Sequence, residues 1–214
     1  MSVLFLALMG CASGPDQGAP NLPRIASAEE IEAYFLALGK TVVTFAGYSG
    51  AGYEDPARML AVAEAQLDQY SAAQTIVNIG ATAEGIGAVY EIAHRRGFAT
   101  TGIVSTQARD NQVPLSPAVD RVFYVQDESW GGVVAATGQL SPTSEAMVAA
   151  SDVMIGIGGG DVARDEMLAA RRMRKEVRFL PADMEHGKAI EAARRKGLPA
   201  PTDFRGSAHA AFAE

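Results

Sequence analysis

Cysteine, histidine and positive charge are all scarce in this sequence. Its 214 residues include one cysteine and three histidines, and 18 lysines and arginines stand against 25 aspartates and glutamates. A single cysteine excludes an internal disulfide bond and a cysteine-rich zinc site. The net charge of −7 argues against a general nucleic-acid-binding protein, since such proteins usually display a basic surface. The two short basic runs, at 171–175 and 193–197, fit helical patterns and are interpreted as solvated helix faces.

Several well-known catalytic patterns are absent as well. The three histidines, His94, His186 and His209, are scattered and no H-E-x-x-H pattern occurs, so no metal site is predicted. The pattern G-x-x-x-x-G-K-[ST] is missing, which excludes a P-loop nucleotide triphosphatase. A loose G-x-x-G-x-G lies at 47–52, but no acidic residue closes a second strand about 20 residues later. The sequence therefore argues against a standard dinucleotide dehydrogenase, and it predicts no resident cofactor.

The chain has no run close to the roughly 20 apolar residues of a membrane-spanning helix, but it begins with a short apolar segment. Residues 3–9 are apolar and are followed by Gly10 and Cys11. This arrangement resembles the lipobox of bacterial lipoproteins, in which the cysteine is lipidated. The basic start of such signals is missing. The resemblance predicts a lipid-anchored protein of the cell envelope with Cys11 as the attachment site, and the alternative is a cytoplasmic protein with a misread start.

The rest of the chain divides into a linker, one domain and a tail. Residues 12–26 contain three prolines and two glycines without hydrophobic periodicity, which predicts a linker. Ser27 and Glu30 have the spacing of a capping box and indicate where folded structure begins. The end of the chain is rich in proline and alanine, which predicts a flexible tail. The expected boundaries are 1–11 for the signal-like segment, 12–26 for the linker, 27–198 for the domain and 199–214 for the tail.

From residue 41 onward, short apolar runs alternate with amphipathic helical patterns. Strands are predicted at 41–47, 75–80, 100–105, 121–125, 153–157 and 176–181. Helices are predicted between several of them, at 56–70, 87–96, 141–150 and 161–170. Such alternation is typical of βαβ units with helices on both faces of the sheet. We therefore expect a single α/β domain with a doubly wound, mostly parallel sheet of the Rossmann-like type.

Three of the predicted strand-to-helix turns are rich in glycine. The first turn follows the strand at 41–47, the second follows the strand at 75–80 and the third follows the strand at 153–157. The candidate ligand-binding residues in them are Gly47, Ser49, Gly50, Gly80, Thr82, Gly85, Gly87, Gly158, Gly159, Gly160 and Asp161. Such turns share the carboxyl edge of a parallel sheet, glycine lets a ligand approach the main chain, and a helix N-terminus favours an anion. The pattern predicts one joint pocket for a phosphate-bearing, nucleotide-type small molecule. The alternative is three tight turns with no ligand.

Taken together, the three turns resemble the SLOG or LOG-like Rossmann superfamily. This superfamily includes bacterial proteins labelled lysine decarboxylases, cytokinin-activating nucleoside monophosphate phosphoribohydrolases and nucleotide-sensing domains. The resemblance rests on a Gly-Ser-rich turn after a strand (FAGYSGAGYEDPAR), a glycine turn before a helix (NIGATAEGIGAVYEIAHRRG) and a final motif P-G-G-x-G-T-x-x-E, here GGGDVARDE. It covers residues 41–184 and implies a nucleotide-binding domain.

The final motif departs from the family pattern in ways that bear on activity. Gly158, Val162 and Ala163 stand where the family has proline, glycine and threonine. The motif's glutamate is retained as Glu166. The family's enzymes also carry a catalytic arginine on the preceding helix, and that position falls near Ser144. The resemblance therefore keeps the acidic group of the catalytic pair and loses its basic partner.

Two functions remain open at this stage. One is a sensor or carrier that binds a nucleotide or nucleotide derivative without chemistry. The other is a nucleotide N-glycosidase or phosphoribohydrolase in which Glu166 stabilises developing positive charge or activates water; Glu166 also fits a plain acidic residue near a helix N-terminus. Arg164 is a candidate for the missing positive charge, and Trp130 could stack on a base or simply pack. The lost arginine favours binding. Whether the chain forms a homodimer is left open.

Overall fold

The computed structural model describes residues 24–212, in which seven strands form one sheet. The strands are β1 (Arg24–Ile25), β2 (Thr41–Gly47), β3 (Thr75–Ile79), β4 (Ala99–Ser105), β5 (Arg121–Val125), β6 (Val153–Ile157) and β7 (Glu176–Leu180). They lie in the order β1-β5-β4-β3-β2-β6-β7, and every neighbouring pair is parallel. The expected doubly wound, parallel α/β fold is confirmed.

Helices cover both faces of the sheet, because its central strands are apolar on both sides. The helices are α1 (Ala28–Leu38), α2 (Pro56–Leu67), α3 (Val89–Arg95), α4 (Thr106–Asp110), α5 (Pro142–Ala150), α6 (Asp161–Arg172), α7 (His186–Arg195) and α8 (Gly206–Phe212). Helices α1, α5, α6 and α8 supply buried side chains to one face of the sheet. Helices α2 and α3 do the same on the other face, so the domain has three layers.

The order of the strands determines where a ligand can bind. After β2 the chain adds β3, β4 and β5 on one side, and then crosses over to add β6 and β7 on the other. In open parallel sheets, ligands bind outside the carboxyl ends of the strands at such a reversal of strand order. The fold therefore brings the turns after β2, β3 and β6 to one edge, beside the reversal.

Local sequence signals account for the helix ends. The Ser27 hydroxyl accepts a hydrogen bond from the Glu30 amide (3.2 Å), and the Glu30 carboxylate accepts one from the Ser27 amide (2.9 Å). This is the capping box that the sequence predicts for α1. The helix ends at Gly39, which adopts the left-handed conformation with φ of 60°. Residues with a β-carbon rarely adopt that conformation, so the glycine ends the helix at low cost.

Three elements were not expected from the sequence, namely β1, α4 and α8, and α7 was indicated only by the helical pattern of the basic run at 193–197. Strand β1 overlaps the end of the expected linker and pairs with β5. Helix α8 lies in the expected tail, where Ala208 is fully buried and its amide donates a hydrogen bond to the Gly159 carbonyl (3.1 Å). The signal-like segment 1–11, with Cys11, and the linker as far as residue 23 lie outside the described residues. Among residues 24–212, no helix is long and apolar enough to cross a membrane.

A buried polar network crosses the middle of the sheet. The Asn78 side-chain amide donates to the Thr44 hydroxyl (3.2 Å), and the Asn78 carbonyl oxygen accepts from the Thr101 hydroxyl (3.0 Å). The hydroxyls of Thr44 and Ser151 lie 2.6 Å apart, and Ser151 donates to the Met147 carbonyl in α5 (2.6 Å). Since buried polar groups are costly unless they are hydrogen-bonded, this network ties β2, β3 and β4 to α5 in one register.

Candidate functional site

A cavity of about 340 Å³ opens at the carboxyl edge of β2, β3 and β4. Its apolar lining includes Phe45, Ile79, Ile103, Met147, Val162 and Ala163. Its polar lining consists of Ser49, Thr82, Ser105, Thr143 and Glu166 together with exposed main chain at two glycines, Gly47 and Gly80. Among the described residues that line the cavity, Glu166 is the only one with an acidic or basic side chain. The cavity is therefore mostly apolar, with a few hydroxyls and one carboxyl group.

The predicted site residues divide into two groups. Those that line the cavity are Gly47, Ser49, Gly80, Thr82 and Glu166. Those that do not line it are Gly50, Gly85, Gly87, Gly158, Gly159, Gly160 and Asp161. The third turn is represented on the wall through the start of α6, by Val162 and Ala163. The structure thus brings the first two turns and the start of α6 to a common cavity, and what each residue binds there remains a prediction.

Two of the glycines outside the cavity wall have a packing role. A β-carbon on Gly85 would overlap the carbonyl oxygens of Tyr48 and Ser49, and one on Gly87 would overlap the carbonyl oxygen of Thr82. These are main-chain atoms of the first and second turns, which cannot move aside without distorting the turns. Glycine at position 85 is therefore explained by the close approach of the first turn, and glycine at position 87 by the tight folding of the second turn on itself.

The glycine turn between β6 and α6 provides no side-chain cap for the start of α6. The chain reverses through Gly158 and Gly159, with φ of 57° and 129°, and Gly160 is the N-cap of α6. No side chain caps this helix end. Because the first amide groups of a helix have no partner within the helix, an uncapped N-terminus can receive an anion. Residues Val162 and Ala163 place this helix end on the cavity wall.

Glu166 is the chemically distinctive group of the cavity. It is 6% exposed, and its Oε1 accepts a hydrogen bond from the Ser144 hydroxyl (2.6 Å). Its other oxygen, Oε2, has no hydrogen-bond partner among the described residues. Burial raises the pKa of Glu166 to about 7, with the neighbouring Asp165 carboxylate adding to the increase and the Ser144 hydrogen bond opposing it. Near neutral pH this carboxyl group is therefore divided between its neutral and charged forms.

Ser144 lies near the place where the family resemblance implies a basic partner. The Ser144 hydroxyl donates to Glu166 and accepts a hydrogen bond from the Gly132 amide (2.7 Å), so it links α5, α6 and the loop between β5 and α5. A serine hydroxyl carries no charge. The side chain in direct contact with Glu166 is thus a neutral donor.

Arg164 does not replace the missing cation. Its guanidinium group forms ion pairs with Asp161 (2.7 Å) and Asp165 (2.8 Å), and Arg164 is not a cavity-lining residue. The other oxygen of the Asp165 carboxylate accepts a hydrogen bond from the Val133 amide (2.9 Å). Arg164 therefore helps to fix the β5–α5 loop through Asp165. Within residues 24–212, no three histidine, cysteine or acidic side chains are grouped so that they could hold a metal ion.

The β5–α5 loop brings Trp130 to the cavity, where this residue is 56% exposed. The loop is held at its start by the buried Asp127, whose carboxylate accepts hydrogen bonds from the amides of Ser129 (2.8 Å) and Thr143 (2.9 Å). Although burial alone would raise it, these hydrogen bonds lower the pKa of Asp127 below its ordinary value. Sequence reasoning missed Asp127, even though it follows a predicted strand at the same sheet edge.

Comparison with known protein families finds no matching model, and comparison with curated protein sequences finds no match. Solved structures include distant similarities. The molybdenum cofactor binding protein from the phototrophic bacterium Rippkaea orientalis is 19% identical, with a TM-score of 0.48 over 74% of this chain and 85% of that chain. The Moco carrier protein from Chlamydomonas reinhardtii is 18% identical, with a TM-score of 0.47 over 80% of this chain and 94% of that chain. The similarity is at the level of the overall fold.

Proposed function

We propose that the cavity binds a nucleotide or a nucleotide derivative and that the protein acts as a carrier or sensor of this ligand. The observation that carries the proposal is the position of the cavity, beside the reversal of strand order and against the start of α6. Open α/β sheets bind small molecules at this place. A volume of about 340 Å³ and a mostly apolar lining are in the range of small-molecule sites.

The aromatic ring and the phosphate of such a ligand would contact different parts of the site. The apolar lining and the exposed Trp130 ring suit an aromatic ring system, because aromatic faces stack favourably. A phosphate suits the uncapped start of α6, where amide groups and the helix dipole favour an anion. The Ser49 hydroxyl lines the same cavity and can donate to a ligand oxygen, whereas the Thr82 hydroxyl donates to the Glu84 carbonyl (3.3 Å).

The surroundings of Glu166 favour binding over cleavage. When an N-glycosidic bond is cleaved, charge develops on the reacting atoms in the transition state, and charged or dipolar groups of the site must stabilise it. Glu166 faces the neutral Ser144 hydroxyl, and no lysine or arginine of residues 24–212 lines the cavity. The carboxyl group thus lacks the cationic partner that the family's enzymes carry.

The second candidate function is hydrolysis of the bound nucleotide with Glu166 as general acid and base. One observation favours it, because a pKa of about 7 is suited to proton exchange near neutral pH. The test is product analysis after long incubation with each ligand that binds. Released base or ribose phosphate that disappears with Glu166→Gln would establish the hydrolase, and a stable complex without product would reject it.

A thermal-shift screen followed by isothermal titration calorimetry tests the binding proposal. The panel comprises nucleoside monophosphates, NAD-derived nucleotides, nucleotide sugars and a pterin phosphate. We expect saturable stabilisation by at least one class. Absence of stabilisation by every compound would reject both candidate functions.

Gly80→Val is expected to block the cavity without unfolding the protein. A β-carbon at Gly80 would have its nearest neighbour, the Ile103 carbonyl oxygen, at 3.9 Å, and Gly80 does not have a positive φ. The valine side chain would therefore occupy ligand space, and we expect ligand affinity to fall about tenfold or more. Gly50→Val is the matched control, because Gly50 also accepts a β-carbon but does not line the cavity. Calorimetry and urea unfolding on both variants check this, and equal affinities would contradict it.

We further propose that the chain is lipidated at Cys11, as its lipobox-like surroundings indicate. The expected result is a diacylglyceryl-modified cysteine at the N-terminus of the protein isolated from its native cells. Mass spectrometry of the N-terminal peptide distinguishes this from the cytoplasmic alternative. An unmodified Met1 or a free Cys11 thiol would end the lipoprotein interpretation.

A further inference from the structure

The charge of the cavity restricts which part of a ligand can lie beside Glu166. Within the part of the chain that the structure describes, Glu166 is the only acidic or basic side chain that lines the cavity. The Ser144 hydroxyl donates a hydrogen bond to Oε1 of Glu166, whereas Oε2 of Glu166 has no hydrogen-bond partner among the described residues. A phosphate beside this carboxylate would place like charges together in a largely apolar environment, which is unfavourable. The ligand group next to Glu166 must therefore be a hydrogen-bond donor, and it cannot be the phosphate.

The apolar lining around Glu166 indicates what kind of donor this is. Phe45, Ile103 and Met147 line the same cavity, and the Trp130 ring lies at its exposed side. A flat, uncharged heterocycle fits such walls better than an alkylammonium group, which would need water or a second anion to stabilise it. The donor is thus a ring N–H group, and the ligand enters ring first, with its phosphate directed towards the start of α6.

We propose that Glu166 Oε2 accepts hydrogen bonds from the N–H edge of a 2-amino-4-oxopyrimidine ring, the edge that guanine and pterin rings share. This inference rests on the proposed nucleotide-derivative function and specifies its ligand class. A carboxylate only accepts hydrogen bonds. The guanine and pterin edge offers an N–H group beside an amino group, so both face the oxygen as donors. The adenine edge places a ring nitrogen lone pair beside its amino group, and that lone pair would be repelled.

Calorimetry with guanosine, inosine and adenosine monophosphates and a pterin phosphate at pH 8 tests the proposal. Wild type is expected to bind the guanine nucleotide about tenfold or more tightly than the adenine nucleotide, because a hydrogen bond to a charged group is being lost. Inosine monophosphate, which keeps the ring N–H and lacks the amino group, should fall between them. If the pterin phosphate binds more tightly than the guanine nucleotide, the pterin is the source of the shared edge.

Glu166→Gln is the matched variant, since the amide keeps the shape and the oxygen that Ser144 contacts. It should weaken binding of the guanine nucleotide about tenfold and should not weaken binding of the adenine nucleotide, because the new amide donates to the lone pair that the carboxylate repels. Glu145→Gln, an exposed glutamate of α5 that does not line the cavity, should change neither. Equal wild-type affinities for guanine and adenine nucleotides would overturn the proposal and leave the binding function intact. Absence of binding by every compound would instead reject the proposed function.

Discussion

Gly85→Ala is expected to lower the free energy of unfolding by about 3 kcal/mol, as a combination of backbone strain and overpacking. Gly85 has φ of 59°, a conformation that alanine adopts only at a cost. An added β-carbon would also overlap the carbonyl oxygens of Tyr48 and Ser49 in the first turn. The neighbouring Ile86 amide donates to the Tyr48 carbonyl (2.7 Å), so the two turns cannot separate without losing a hydrogen bond.

Urea unfolding of Gly85→Ala and Gly50→Ala measures this effect. Gly50 has no atom within 4 Å of a built β-carbon and does not have a positive φ. Its substitution should change the free energy of unfolding by less than about 1 kcal/mol, since it removes no packing and creates no strain. Similar values for the two variants would show that Gly85 is not a packing residue and would reopen a direct role for it in ligand binding.

Local sequence patterns predict most of this fold, because its central strands and helices carry their own signals. The bounds of β2, β5 and β6 are predicted to the residue, and the capping box of α1 is present as expected. Strand β1 could not be predicted, since its two residues are a strand only through pairing with β5. Helix α8 could not be predicted either, because a short alanine-rich stretch after prolines is held by burial of Ala208 against the rest of the domain.

The candidate site is less predictable, because its contacts are tertiary. The sequence indicates which turns share an edge, but it cannot distinguish Gly80, which faces the cavity, from Gly85, which faces another turn. From the sequence, Ser144 is notable only because it lies near the position where the family's enzymes have an arginine. The hydrogen bond from Ser144 to Glu166 depends on how α5 packs against α6, and no periodic pattern encodes that distance. Asp165 is likewise identified only by its contact with a loop 32 residues away.

Glu166→Gln is expected to raise the free energy of unfolding of the ligand-free protein by about 3 kcal/mol at pH 8. Burial raises the pKa of Glu166 from 4.5 to about 7 in the folded state, which corresponds to about 3 kcal/mol. Below the unfolded pKa the group is neutral in both states and costs nothing. Between the two values the unfolded chain loses its proton first, so stability falls as pH rises and stays low above about pH 7. The neutral glutamine avoids this cost at every pH.

Urea unfolding of wild type and Glu166→Gln from pH 4.5 to pH 8 tests this expectation. The difference between them should be small at the acidic end, where the wild-type carboxyl group is protonated, and should grow as the pH rises through neutrality. Glu145→Gln is the control for loss of one exposed negative charge and should not show this dependence. A destabilised glutamine variant at pH 8 would contradict the cost of burying the charge. We expect the glutamine variant to be more stable and to bind its ligand more weakly. Wild type would then keep the charge for recognition at a cost in stability.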